Sequence, residues 1–227
     1  MKLTVSPSIC LNSKKRMHKS MYSVQPATYY LQQMSRGGLR GAWFKQRQLK
    51  TRRLVKKYYR PGGLVLDIGC GNCLWNTGEV PVIGIDICES MLCYNKDHVK
   101  HFFPVNADVF NSVPLKDASI DIVVMTEILE HLESHACIIN EVFRVLKKDG
   151  ILIVSVPYGK LPGLWQFIFP LWCRFKWWKD KDEYYKYHCG HVSVFNLKGL
   201  ARLFNGFNIL ENGNIALLTI FLVLKKN

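Results

Sequence analysis

Five short apolar runs recur along this chain, and they constrain its fold more than any other feature. They are Leu64–Ile68, Val82–Asp86, Phe102–Asn106, Ile120–Met125 and Ile151–Val156. Runs of this length without polar alternation are expected of strands buried on both faces, and helical stretches such as Glu89–Asn95 and Ala136–Leu146 fall between them. The alternation predicts an α/β chain with a Rossmann-like, doubly wound, mostly parallel sheet and helices on both faces. Lys147-Lys148-Asp149-Gly150 reads as the stop of the Ala136–Leu146 helix. A last helix, Leu197–Phe204, precedes Phe207–Leu210 and Ala216–Leu224, which close the sheet as an antiparallel C-terminal hairpin with Asn212-Gly213 at its turn.

Ahead of the strands, residues 1–40 show no sustained periodicity and read as a flexible basic lead. Residues 41–60 follow a helical pattern, stopped by Pro61-Gly62-Gly63. Trp43, Phe44, Leu54, Val55, Tyr58 and Tyr59 gather on one side of that helix, and Lys45, Lys50, Arg52, Arg53, Lys56 and Lys57 on the other, with Leu49 and Arg47 out of phase. Residues 61–227 form the main domain, in which 158–195 is an aromatic insertion.

Charge follows the same division. The net charge is +14, yet residues 1–60 hold 15 Lys/Arg and no Asp or Glu, while the rest carries 16 basic and 17 acidic side chains. That excludes a uniformly basic structural protein, and 48% hydrophobic residues exclude global disorder. The apolar runs Leu164–Trp172 and Ile215–Leu224 fall short of the roughly 20 residues of a spanning helix. No apolar stretch of a secretory signal is evident, and a cytoplasmic location, with contact to a membrane surface as an option, is expected. The acid-free first 35 residues loosely match a transit peptide, although their basic residues are mostly Lys, and Met17 or Met21 are alternative starts. The eight cysteines, among them Cys10, Cys70, Cys73, Cys93, Cys173 and Cys189, are expected to stay reduced.

The chemistry begins where the first strand ends, in Leu66-Asp67-Ile68-Gly69-Cys70-Gly71-Asn72. Glycines at this point let a ligand approach the backbone. A nicotinamide fingerprint would place a third glycine where Leu74 stands. Asp67 would repel a pyrophosphate and suits a ligand with an ammonium or sulfonium charge. Nineteen residues on, Asp86 ends the second strand, where a carboxylate can accept from both hydroxyls of a ribose. Asp108 follows the third strand, placed to accept from an adenine amino group.

The segments LVLDIGCGN, VIGIDICESML, NADVF, FNSVPLKDASIDIVVMTEILEHL and RVLKKDGILIVSVP resemble the successive motifs of class I S-adenosylmethionine-dependent methyltransferases, in the broad type 11 group. GHVSVFNLKGLARLFNGF is similar to the family's final helix and strand. The resemblance implies a seven-stranded sheet with S-adenosyl-L-methionine across the strand carboxyl ends. It implies that Asp67, Gly69, Cys70 and Gly71 line the methionine moiety, Asp86 the ribose, Ile87 one adenine face, and Asp108 and Val109 the adenine edge. The family usually has glycine where Cys73 stands, and a longer first helix than Leu74–Gly78 allows.

For the acceptor, methyl transfer needs a general base only when a proton must leave. Candidates are Glu127, Glu130 and His131 just past the fourth strand, and His188 and His191 further on; Glu127, His131 and His191 are the catalytic candidates. The alternative is a divalent-metal site: Glu127, Glu130 and His131, with His191 sixty residues later, resemble the ligand arrangement of small-RNA 2′-O-methyltransferases. In the insertion, Trp165, Phe167, Phe169, Trp172, Phe175, Trp177 and Trp178 are interleaved with Arg174, Lys176, Lys179 and Lys181. Such a segment suits a small apolar or lipid-linked acceptor, an anionic membrane surface, or unpaired RNA bases. Three readings stand: a methyltransferase for such an acceptor, an RNA methyltransferase, and a non-catalytic cofactor-binding partner subunit. No motif for reading DNA sequence is evident.

Overall fold

Each apolar run forms a strand: β1 Val65–Ile68, β2 Val82–Asp86, β3 Phe102–Asn106, β4 Ile120–Thr126 and β5 Leu146–Pro157, joined by β6 Phe207–Ile215 and β7 Thr219–Lys226. The computed structural model describes residues 25–35, 37–109, 112–132, 134–181, 185 and 191–227; Cys10, Met17, Met21, His188, Cys189 and Gly190 lie outside them. Burying a Val or Leu side chain stabilises by about 1.5–3 kcal/mol, against a spread of roughly 1 kcal/mol in strand propensity, so apolar runs locate strands well. Val65, Leu66, Ile68, Val123, Val124, Leu152 and Ile153 are fully buried accordingly.

The sheet order is β3-β2-β1-β4-β5-β7-β6. Strands β1 to β5 pair in parallel, and β7 runs antiparallel between β5 and β6. The chain winds outward from β1 through β2 to β3, then returns to place β4 on the other side of β1. The crevice at that reversal, outside the strand carboxyl ends, is where ligands of open α/β sheets bind. Ile68 stands opposite Ile85 and Met125, and Asp86 opposite Asn106, so these ends share one edge.

Helices cover both faces. Ile138, Ile139 and Val142 of α4 (Ala136–Val145) and Leu200 of α6 (Leu197–Ala201) pack on one face. Leu54 and Val55 of α2 (Gly38–Tyr58) and Leu92 of α3 (Glu89–His98) pack on the other. Two further helices are α1 (Tyr29–Ser35) and α5 (Trp165–Asp180), the latter inside the aromatic insertion. Among the described residues no helix is long and apolar enough to cross a membrane.

Four details differ from the sequence reading. Asn212-Gly213 lies within β6, opposite Leu222 and Phe221; the hairpin turns instead at Ala216 and Leu217, both with left-handed backbone. Its position is dictated by β7, whose Thr219 must reach Pro157 at the end of β5. Lys147–Gly150 belong to β5, which begins at Leu146, rather than to a helix stop: Lys147, Lys148 and Asp149 are exposed and Gly150 is buried, with Lys147 paired to Asp121 and Asp149 to Lys225. Tyr29–Ser35 is helical although it falls inside the stretch read as a flexible lead, and α2 begins at Gly38. Between β1 and β2 there is no helix among residues 69–81, only turns.

Candidate active site

The turn after β1 is built around Gly69 and Gly71, both in left-handed backbone (φ 66° and 48°). A side-chain carbon on Gly69 would lie 2.0 Å from Ile128 Cδ1, and one on Gly71 2.8 Å from the Tyr30 ring. Cys73 also has left-handed backbone (φ 46°), the conformation glycine adopts most readily, at the position where the resembling family usually has glycine. Asp86 ties this turn to the end of β2. Its Oδ2 accepts from the Gly71 N–H at 2.8 Å and its Oδ1 from the Cys88 N–H at 2.9 Å. Asn95, fully buried on α3, donates from Nδ2 to the Gly71 carbonyl at 2.6 Å. Asp67 is buried with its Oδ2 accepting from Trp75 Nε1 at 2.7 Å. Val109 packs partly buried against the core beyond β3, and Asp108 and Ile87 are half-buried in the loops that follow β3 and β2. Cys70 and Cys73, whose spacing alone suits a redox pair or zinc, are free and buried.

Past β4, Glu127 has left-handed backbone (φ 57°), which costs a non-glycine residue on the order of 1–3 kcal/mol. Ser155 of β5 holds it there twice: its carbonyl accepts from the Glu127 N–H and its hydroxyl donates to Glu127 Oε1, each at 2.8 Å. Glu127 Oε2 stands 3.7 Å from Arg47 Nη1. Glu130 and His131 follow in a single 3₁₀ turn, Leu129–His131. The Glu130 carbonyl accepts from the Val192 and Ser193 N–H groups, which sets His191 beside His131 with ring centroids 4.8 Å apart. Ligand atoms of Glu130, His131 and His191 all lie within 4.8 Å of one another, and the buried Glu130 Oε2 has no hydrogen-bond partner among the described residues. Glu127 stands outside this trio, its oxygens engaged by Ser155 and Arg47.

An aromatic wall faces the trio. Phe169 stacks on His191 at 4.7 Å, Trp165 on Phe169 at 4.7 Å, and Trp43 lies 5.1 Å from Trp165. Trp43 Nε1 donates to Thr219 Oγ1, anchoring α2 to the sheet. Trp165 Nε1 is buried without a partner among the described residues.

Two further residues belong to the site. Arg47, out of phase with the basic face and on the apolar side of α2, is buried, stacks over Trp43 and Phe44 at 4.6 and 5.1 Å, and pairs with Glu127. Its phase within the stripe Gly41, Phe44, Arg47, Thr51, Leu54 was the available signal. Tyr30 of α1 covers the glycine turn: its N–H donates to Asn72 Oδ1, and Asn72 Nδ2 donates to the Ala27 carbonyl. Ser90 Oγ donates to the Gln25 carbonyl, so the segment before α1 is fastened to both ends of the crevice. Burial, and then the charges of Tyr29 and Asp86, hold the Tyr30 phenol above its ordinary range.

Carboxylates dominate the electrostatics. Burial pushes Asp67 up to about 7 against hydrogen bonds from Trp75 and Cys73. Burial likewise raises Asp86, and burial with the charge of Glu127 raises Glu130. A raised native pKa means the folded chain binds the proton more tightly than the unfolded chain, so the stability gained is full below the unfolded value and is lost as pH rises towards 7. For Asp67, shifted from 3.8, the loss amounts to about 4 kcal/mol at most, at about 1.4 kcal/mol per unit. Denaturant melts of wild type and Asp67→Asn are expected to diverge between pH 4 and 7, the variant lacking this part of the decline; parallel curves would show that Asp67 titrates normally.

Residues 66–154 match the family described as a methyltransferase domain. A probable S-adenosylmethionine-dependent methyltransferase of Mycolicibacterium smegmatis is 33% identical over 122 residues, covering 51% of this chain and 45% of that protein. The chain thus spans about half the length of the first curated relatives it matches. A demethylmenaquinone methyltransferase of Listeria welshimeri is 25% identical over 174 residues, covering 71% of each. Among solved structures, a SAM-dependent methyltransferase from Aquifex aeolicus superposes with a TM-score of 0.57 at 17% identity, covering 81% of this chain and 93% of that one. The [4+2]-cyclase SpnF superposes with 0.61 at 16% identity, covering 81% and 82%. Likeness at that level carries the fold; chemistry has to be argued from the site.

Proposed function

We propose that this chain, whose residues 66–154 match a methyltransferase domain and which is similar to S-adenosylmethionine-dependent methyltransferases, acts as a class I enzyme of that kind and transfers a methyl group to a small apolar or lipid-linked acceptor. The observation that carries this reading is the junction of two unlike walls at the strand ends: the carboxylate-lined glycine turn, and the stack Trp43, Trp165, Phe169 and His191. The donor set fits the family's cofactor, because acids beside an open glycine turn suit a cation carrying a ribose diol. Asp86 would hold the ribose hydroxyls, Gly69, Cys70 and Gly71 the methionine part with Asp67 beneath, and Ile87, Asp108 and Val109 the adenine. When bound, the cofactor supplies an electrophilic methyl group on a sulfonium.

The chain's own residues orient the acceptor and exclude water. Tyr30 closes over the glycine turn, and the aromatic stack gives an apolar acceptor a wall of ring edges and faces, with Trp165 Nε1 left to donate to an oxygen on it. For a hydroxyl acceptor, an imidazole of His131 or His191 takes the departing proton, with Glu130 beside His131 and Glu127 positioned by Ser155. A curated relative matched over 71% of its length is named a demethylmenaquinone methyltransferase, which supports this acceptor class.

A second use of the trio is favoured by one observation, the buried Glu130 oxygen without a partner among the described residues beside two imidazoles: a divalent cation there would lower the pKa of an acceptor hydroxyl. Incubation with methyl-labelled cofactor and separated lipid, RNA, protein and metabolite pools tests the reading. Label in the lipid or apolar metabolite pool is expected. Label in RNA, lost steeply with added salt, would replace the acceptor class. Cofactor binding with no label in any pool would make the chain a non-catalytic subunit.

A further inference from the structure

Helix α5 has two long faces of opposite use. Its inner face carries Trp165 and Phe169 of the acceptor wall and the buried Cys173. Its outer face presents Leu164, Phe167, Ile168, Leu171, Phe175 and Trp178 to solvent, spaced three, one, three, four and three residues apart from the N-cap onward. Those are the steps of a single helical stripe. Leu171 is 71% and Trp178 67% exposed. Sixteen residues make a stripe about 24 Å long, and an exposed apolar surface of that extent marks an interaction site.

The charges around it name the partner. From Leu164 to Lys179 the chain has no acid, and Arg174 and Lys179 flank the stripe in solvent. Arg40 of α2 lies over the Trp172 ring of α5 at 5.1 Å, and in sequence residues 1–60 hold 15 basic side chains and no acid. A second copy of this helix would bring like charges together. Leu164, Ile168 and Leu171 offer no ring on which a nucleic-acid base could stack. An apolar stripe edged by Arg and Lys, with Trp177 and Trp178 at one end, matches helices that lie in the plane of an anionic membrane interface.

We propose that the outer face of α5 docks on an anionic lipid bilayer. The helix then separates the bilayer from the acceptor wall by its own width, so an apolar acceptor passes from lipid to the Phe169–His191 stack around α5 without crossing water. This route, unlike the docking itself, rests on the methyl-transfer reading.

Co-sedimentation of the whole chain with phosphatidylcholine vesicles, with and without a quarter of phosphatidylglycerol, tests the docking. Binding to the anionic vesicles is expected to exceed binding to neutral ones by roughly tenfold or more at low salt and to weaken as salt is added. The variant carrying Leu171→Glu, Phe175→Glu and Trp178→Glu is expected to lose roughly a hundredfold in affinity with an unchanged circular-dichroism spectrum. Should it not fold, acyl-brominated phosphatidylglycerol serves with the unaltered chain, where quenching of tryptophan fluorescence is expected. Absence of vesicle binding, binding unaffected by the three substitutions, or no quenching overturns the proposal. So does loss, through the same substitutions, of binding to polyuridylate or of a dimer in sedimentation velocity in place of vesicle binding. Vesicle binding reads no methyl transfer: a chain that docks without labelling any pool refutes the function and keeps the surface, and the converse result refutes only the surface.

Discussion

Replacing Asp86 by alanine is expected to weaken S-adenosylmethionine binding by roughly 100-fold or more in calorimetry, since each hydrogen bond to a charged group contributes about 1.5–3 kcal/mol and a ribose diol makes two. The carboxylate also organises the site before any ligand arrives. Its two oxygens separately accept the Gly71 and Cys88 N–H groups, locking the glycine turn to the start of α3. Asp86→Asn separates the two contributions. An amide has one acceptor oxygen, so one of those N–H groups would face an NH₂ and the turn would lose an anchor. Asparagine is therefore expected to fall between wild type and alanine, nearer to alanine. Undiminished binding in Asp86→Ala, with the fold intact by circular dichroism, would remove the ribose role from Asp86 and with it the proposed placement of the cofactor.

Asp86 was legible in the sequence because its position is a property of local pattern: a strand buried on both faces, ending in an acid nineteen residues after Asp67. The same holds for the strands, whose apolar runs report burial directly. What escaped was set by contacts between distant segments. Asn212-Gly213 is a strong turn signal by local preference, yet pairing of β7 with β5 lengthens β6 past it and forces the reversal onto Ala216 and Leu217. Arg47 fell out of phase with the basic face, and the arrival of the half-buried Glu127 just past β4 gives its charge a partner. Tyr30 lies where nothing periodic occurs; its value comes from Asn72, forty-two residues away. The resemblance to a metal-ligand arrangement already groups His191 with Glu130 and His131; what it does not encode is that two N–H groups converging on the Glu130 carbonyl bring the imidazoles together while Glu127 stands outside.

The proposed catalytic pair puts that connection to the test. His131→Gln is expected to lower kcat by roughly 10²–10⁴, the range of a lost general base, on whichever acceptor pool takes label, while leaving the cofactor dissociation constant within about threefold. The residues proposed for the cofactor lie on β1, β2 and the β3 loop, whereas His131 sits on the 3₁₀ turn after β4, so an equal loss of cofactor binding would show that the histidine serves structure. A base and a metal ligand predict different companions to that loss. If His131 takes a proton, Glu130→Gln acts on it through the 3.8 Å approach of Glu130 Oε1 to Nε2 and costs less than His131→Gln, and chelators leave the wild type unchanged. If the trio holds a divalent cation, each ligand is indispensable, so Glu130→Gln, His131→Gln and His191→Gln give similar losses, and chelation abolishes activity until a divalent ion is restored. The expected outcome is the graded series without chelator sensitivity, because Glu127, the fourth donor such a site would recruit, already has both oxygens engaged by Ser155 and Arg47. Three equal losses rescued by added metal would reassign the trio from proton acceptor to metal centre.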